Sequence, residues 1–483
     1  MPERRPADAE EEEDRDAATV VRQPAPNAGA DGDMGWQTET QAPLDGVIEV
    51  DEPVARPDGV ADMRTDARTP REIAAFEGPP VGYNPYLFQI ELDPLADRRI
   101  AELFRLEPYT ARGIRIGSFV VFPEAEIGGI ANNNIFRGAS QRADNAWEVR
   151  PTVRVVSDWR SHAMELRGTG IASFYQEFPT EDDRAYTLEA RGRLDLTKRT
   201  NIEALVSHQM DKAIRSTRDL PADAAERGDI ETNRAAIAFN HRFNRLSLQL
   251  SGAVTDVDFA PVPALDGSVI SNDERDFTQR DAAFRVGWAV SRKADVFAET
   301  ARVDREFHAA PADGILRSSH GDRYRLGIAF GPWDATIRGE VSAGWGRQTP
   351  NDARLGAVEG VIVDANLAWR ATALTTFLLT ASSDFFDSTL TGSPGVLARQ
   401  VGLEARHAFR RHLIGTAAVR YLVSPYEGID LTERTLTAEL GFDYYFGRDI
   451  ILYGRYQHVD FQSTAPGSDF EADIVRIGLR VRQ

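Results

Sequence analysis

From about Arg112 to the C-terminus, apolar and polar residues alternate in runs of roughly 10 to 15, each closed by turn-forming residues. In RAYTLEARGRLDL, Tyr186, Leu188, Ala190, Leu194 and Leu196 fall on one face. Thr187, Glu189, Arg191, Arg193 and Asp195 fall on the other. The same split sets Trp147, Val149, Val153 and Val155 against Glu148, Arg150, Thr152 and Arg154. It sets Tyr324, Leu326, Ile328 and Phe330 against Arg323 and Arg325, and Leu436, Leu440, Phe442 and Tyr444 against Glu439 and Asp443. A period of two predicts strands with one face suited to lipid and one to water. A soluble sandwich alternates as well, so the period alone does not decide between them.

The connections discriminate further. Short polar turns are predicted at Asp158 to His162, Leu196 to Thr200, His241 to Arg245 and Ser291 to Asp295. Four more fall at Gly331 to Asp334, Trp369 to Ala373, Phe409 to His412 and Phe446 to Asp449. Between successive turns lies a longer loop, such as FAPVPALDGSVISNDERD, and on this reading short and long connections alternate throughout. That is the layout of a bacterial transmembrane barrel, with short periplasmic turns at one rim and long extracellular loops at the other. The prediction is an all-β fold: an antiparallel up-and-down barrel of about 18 strands over residues 111–483, behind a disordered N-terminal tail. Its first strand is expected near Ile114 and its last in DIVRIGLRVRQ, with both outer ends in the periplasm; the stretch from Phe297 to Arg305 alternates poorly. Trp159, Phe243, Trp288, Phe330, Trp333, Trp369, Phe409 and Phe446 crowd the short-turn rim and read as an interfacial aromatic girdle.

Residues 1–110 have a different texture, rich in Asp, Glu, Pro, Ala and Gly, with an acidic block from Glu10 to Asp16. Such a segment buries too little apolar surface to offset its ordering entropy and is expected to be a solvated periplasmic tail. Near residues 95–106, Ile100, Leu103, Phe104 and Leu106 are spaced as in a short amphipathic helix, read as a linker with a plug or periplasmic docking element as the alternative. The N-terminus has no apolar core of a signal peptide, so the start at Met1 is expected to be a mature or trimmed one, or to be assigned differently from the true start codon.

Composition narrows the function classes. No run approaches the roughly 18 to 20 apolar residues of a membrane helix, so a spanning chain must close as a barrel. A net charge of -19 argues against nucleic acid, and the absence of cysteine removes disulfides, thiolate metal sites and a Cys nucleophile.

Three ordered stretches resemble a known family: GIRIGSFVVFPEAEIGGIANNNIF, DNAWEVRPTVRVVSDWRSHAMEL and DDRAYTLEARGRLDLTKRT. The region from Gly113 to Gln483 is similar to the putative β-barrel porin 2 family of proteobacterial outer-membrane proteins. The resemblance implies an outer-membrane barrel of undefined substrate, some members being similar to proteins encoded near surface-polysaccharide systems, and it supplies no catalytic residues. The chain departs from the usual barrel pattern by ending in Val481, Arg482 and Gln483 rather than an aromatic residue, which bears on recognition by the barrel assembly machinery.

Catalytic and metal chemistry find little support. The eight histidines are scattered, His162, His241, His407 and His412 lying in or beside short turns. Ser207 and His208 are adjacent and point to opposite faces of a strand. No GxSxG, HExxH, phosphate loop or EF-hand loop occurs, so neither an enzyme nor a cofactor is expected. The better candidates are charges on the predicted lumen face. They are Glu189, Arg191, Arg193, Arg285, Arg323, Arg325, Arg338 and Glu340, followed by Glu404, Arg406, Arg420, Glu439, Asp443, Arg455, Arg476 and Arg480. Such side chains either set solute selectivity or pair across strands and stabilise a wet interior. The expected function is a porin-like passive channel for small hydrophilic solutes, with an accessory role in surface-polysaccharide export as the alternative. The expected surroundings are outer-membrane lipid, with the oligomeric state open.

Overall fold

The computed structural model describes residue 109 and residues 111–483, apart from 160, 214–224, 292, 311–313, 331–335, 389 and 391. The acidic tail, the helix expected near 95–106 and Trp333 therefore lie outside the described residues.

Eighteen strands form the barrel wall. In chain order they are β1 (Phe119–Asn132), β2 (Asp144–Ser157), β3 (Ala163–Tyr175), β4 (Asp183–Thr197), β5 (Thr200–Lys212) and β6 (Asp229–Phe243). Next come β7 (Leu246–Phe259), β8 (Phe277–Ala289), β9 (Ala294–Phe307), β10 (Ser319–Phe330), β11 (Ile337–Pro350) and β12 (Val358–Thr372). The last six are β13 (Thr375–Phe386), β14 (Val396–Arg410), β15 (Leu413–Tyr426), β16 (Leu431–Tyr445), β17 (Ile450–Ser463) and β18 (Phe470–Arg482). Each pairs antiparallel with its neighbours in sequence, and β1 closes the ring on β18 from Glu124↔Arg482 to Asn132↔Ile474. Closure leaves no free edge along the joined lengths, the condition for crossing lipid with strands.

A row of small residues fits the seam. Tyr453 of β17 is in register with Gly478 of β18, which is in register with Gly128 of β1. A Cβ on Gly478 would come within 2.6 Å of the Tyr453 hydroxyl, and one on Gly128 within 2.7 Å of it. The two glycines thus leave the space in which the tyrosine lies across the closing strands.

The outward face is apolar: Leu188, Val206, Ile237, Leu250, Leu326, Leu440 and Ile477 are all exposed there, as a lipid-facing band requires. A second set of outward aromatics, Trp147, Phe174, Tyr186, Tyr324 and Trp345, sits nearer the long-loop ends of its strands.

Two expectations are corrected. The first barrel strand is Phe119–Asn132, not the segment near Ile114. Ile114–Ile116 is a three-residue lead-in that pairs back on Phe119–Val121 between Gly113 and Gly117, both at positive φ. It occupies the edge of β1 that β18 leaves open, because β18 stops in register with Glu124. Nor do connection lengths alternate throughout: the loop at 427–430 is no longer than the turn at 446–449 that follows it. The poorly alternating stretch from Phe297 to Arg305 lies in β9, whose burial alternates strictly. There the lumen face carries Phe297, Ala301 and Val303, while the outer face carries Arg302 and Asp304, with Arg302 paired to Asp322 in the open. Polarity inverts at that end of the strand, which hides the period from a hydropathy reading.

Candidate functional site

Lumen-side charges meet partners on strands that are not neighbours, and such contacts are reachable only through the barrel interior. Arg285 of β8 pairs with Glu340 of β11 at 2.6 Å, and with Glu299 of β9 at 3.6 Å. Arg325 of β10 pairs with Glu299 on one side and with Asp364 of β12, at 2.9 Å, on the other. The Arg325 and Glu299 side chains are each only 1% exposed. Five charged groups on β8 to β12 therefore form one connected, buried network on the inner face.

The remaining predicted lumen charges are buried or half-buried and follow the same habit. Glu189 pairs with Arg191, and Arg193 with Asp195 at 3.0 Å. Glu404 pairs with Arg406, while Arg420 lies in the fields of Glu439 and Glu404. Arg455 holds Asp443 at 2.9 Å and Glu439 at 3.7 Å. Arg476 reaches Glu148 of β2 at 3.9 Å, and Arg480 reaches Glu126 of β1 at 2.6 Å, so these two of the three arginines of β18 tie down the seam. Arg338 is half-buried near the start of β11, and Arg323 faces Asp384.

Aromatic rings hold several of these arginines flat, and the sequence reading identified no such rings in the lumen. The Arg285 guanidinium lies 3.3 Å from the Phe297 ring centroid, Arg305 lies 5.0 Å from Phe277 and Arg323 lies 5.2 Å from Phe385. Stacking on a ring face is favourable for the weakly hydrated guanidinium. The available signal was Phe two residues from a lumen charge, as in Phe297 and Glu299, where the period places both on one face.

At the long-loop rim, the described residues of the connection between β13 and β14 turn inward, with Asp387, Ser388, Leu390 and Ser393 all at most 4% exposed. Asp387 pairs with Arg305 of β9 and accepts a hydrogen bond from Ser319 of β10 at 3.0 Å. Arg317 donates to the Leu390 carbonyl at 3.4 Å, and Leu390 packs with Val396, Tyr426 and Leu431. The loop thus reaches across the mouth to strands well removed from its own base.

At the other rim, Trp159, Phe243, Trp288, Trp369, Phe409 and Phe446 are exposed and Phe330 is half-buried. Trp369 stacks on Phe377 of the next strand at 5.4 Å. Among the described residues, Asp258, Asp276 and His308 bring ligating atoms within 4.8 Å of one another at the long-loop rim. Burial, with Asp258 and Asp273 adding to it, holds the Asp276 carboxyl above the usual carboxylate range.

A family model described as "Putative beta-barrel porin 2" matches residues 107–483, nearly the whole described chain. The chain belongs to this family. It is a porin-like barrel of the bacterial outer membrane. No curated protein sequence matches it. Among solved structures it is similar to Pseudomonas aeruginosa OccK2 (OpdF), at 12% identity and a TM-score of 0.41, covering 76% of this chain and 98% of that one. The alcaligin outer-membrane receptor FauA of Bordetella pertussis matches at 12% identity and a TM-score of 0.36, covering 77% of each chain. The copper transporter OprC matches at 10% identity and a TM-score of 0.40, covering 77% of this chain and 81% of that one. Likenesses this loose carry nothing about what the present barrel transports.

Proposed function

We propose that the barrel is a passive channel for small hydrophilic solutes. Its short-turn rim, and with it both chain ends, faces the periplasm. The observation that carries the reading is the lumen network of Arg285, Glu299, Arg325, Glu340 and Asp364, a polar, charge-paired interior beneath an apolar outer face. A barrel of about 18 strands encloses more space than its inward side chains fill, which supports an aqueous path. Because acids and bases alternate in the network, the channel discriminates weakly by charge sign and mainly by size, with the loop at 387–395 as the restricting element. No catalytic step is assigned to the lumen, whose charges are engaged with one another.

The test is single-channel recording on the refolded full chain in a planar bilayer. Steady ohmic conductance with a reversal potential near zero in a salt gradient supports the channel. A protein that inserts, shown by heat-modifiable migration on a gel, yet passes no ions with or without residues 1–108 counts against it and favours a role as an export accessory.

A further inference from the structure

On the arc of the ring opposite β8 to β12, a recess of about 560 Å³, its opening included, lies at the long-loop end of the barrel. Its walls come from the end of β1, the start of β2, the end of β3 and the starts of β4 and β18. Glu148, Ser173 and Ile474 on this wall are buried, while their chain neighbours Trp147, Phe174 and Val475 are exposed on the outer face. The recess is therefore on the lumen side of the sheet.

Two charged clusters line it. In one, Glu148 of β2 accepts a hydrogen bond from Arg150 at 2.7 Å and from the Ser173 hydroxyl of β3 at 3.2 Å, and Arg476 of β18 lies 3.9 Å away. In the other, Arg227, just ahead of β6, pairs with Asp183 of β4, lies 3.6 Å from the Glu181 carboxylate and donates to the Glu181 carbonyl at 3.2 Å. Arg137 joins Arg227 and Arg476 in the lining, against Glu148, Glu181 and Asp183, so three positive and three negative groups balance. The apolar part of the lining includes Ile130 and Ile474, packed together with Tyr175.

We propose, building on the channel reading, that this recess is a subsite for one neutral polyhydroxylated solute of monosaccharide size. A hydroxyl both donates and accepts, so neighbouring hydroxyls of one ring meet a carboxylate oxygen and a guanidinium N–H of the same ion pair without breaking it. The C–H face of the ring is left for the isoleucines. A solute with net charge gains nothing from a balanced lining and gives up hydration on entering. A zwitterion has to pull apart pairs that are already closed, such as Arg227 with Asp183. Because those pairs stand before any solute arrives, the donors and acceptors are pre-organised and little ordering is left for binding to do. The volume lies within the range of about 300–1,000 Å³ common to small-molecule sites.

The test is calorimetric titration of the refolded full chain in detergent with glucose, gluconate, glucosamine and leucine. The expected result is saturable one-to-one binding of glucose, with the anion, the cation and the zwitterion each about tenfold weaker or more. Glu148→Gln is expected to weaken glucose about tenfold, the loss of a charge-assisted hydrogen bond. Asp183→Asn leaves the lining one positive charge in excess, so gluconate should gain on glucose. Heat-modifiable migration on a gel shows which variants have formed the barrel; if only one has, it carries the comparison, and if neither has, the selectivity of the parent chain decides. The proposal is overturned if glucose does not saturate, if a charged or zwitterionic probe binds as tightly as glucose, or if both folded variants bind glucose as the parent does. Binding and conduction fail separately. Selective glucose binding by a protein that passes no current in a planar bilayer upholds the subsite and sinks the channel, and steady conductance with no glucose binding does the reverse.

Discussion

Arg325 shows what a single residue does in this lumen. It neutralises two carboxylates, Glu299 and Asp364, both almost wholly out of solvent. Removing it takes a cation from both, leaving Glu299 with only the longer contact to Arg285 at 3.6 Å, and breaking a buried ion pair costs about 3–5 kcal/mol. Arg325→Ala is therefore expected to lower the unfolding free energy in detergent micelles by that amount, read from urea titration. Replacing all three groups by apolar residues of similar volume is expected to restore most of it. A loss under about 1 kcal/mol for the single variant would mean that water already screens the network, in which case its members act as surface pairs. The period-two pattern placed Arg325 on the lumen face but not its partners: Glu299 is 26 positions away and Asp364 is 39, separations that only a strand register connects.

At the scale of elements, strands and turns were legible and the loops were not. Alternation and turn residues are local, and they located the seven short turns that fall among the described residues, the one at Gly331 to Asp334 lying outside them. The inward path of residues 387–395 rests instead on Arg305, 82 positions before Asp387, and the TGSPG stretch reads as an ordinary turn. The first strand was misplaced for a related reason: Ile114 and Ile116 alternate as a strand would, and only the point where β18 ends shows that they fill a gap in the rim. If the Arg305–Asp387 pair holds the loop across the mouth, Asp387→Ala should raise single-channel conductance, and Arg305→Ala should do the same. The double variant should add little to either, since both remove one interaction. Fully additive increases would show that the loop is held by its apolar contacts at Leu390 instead.

For the whole molecule, the decisive joint is where the first and last strands meet. Gly478→Val places a branched side chain where Tyr453 and the backbone of β1 already lie, and overpacking of this kind costs about 1–3 kcal/mol. The expected readout is a smaller fraction of heat-modifiable, protease-resistant barrel after refolding, with soluble expression unchanged. A yield equal to that of the parent protein would show that the seam tolerates bulk. The sequence made the 18-strand ring legible because each hairpin is local; it could not show the joint, whose Glu126 and Arg480 are 354 residues apart.

That joint also sets a timetable. A chain made and exported in order carries seventeen hairpin-linked strands before the fastening strand is available, and through that interval β1 and β17 both present raw, sticky borders. Any premature stop ahead of Phe470 leaves them so for good. The product of such a stop is a curled ribbon that invites pairing with its neighbours, so the final thirteen-residue strand decides between a membrane protein and an aggregate.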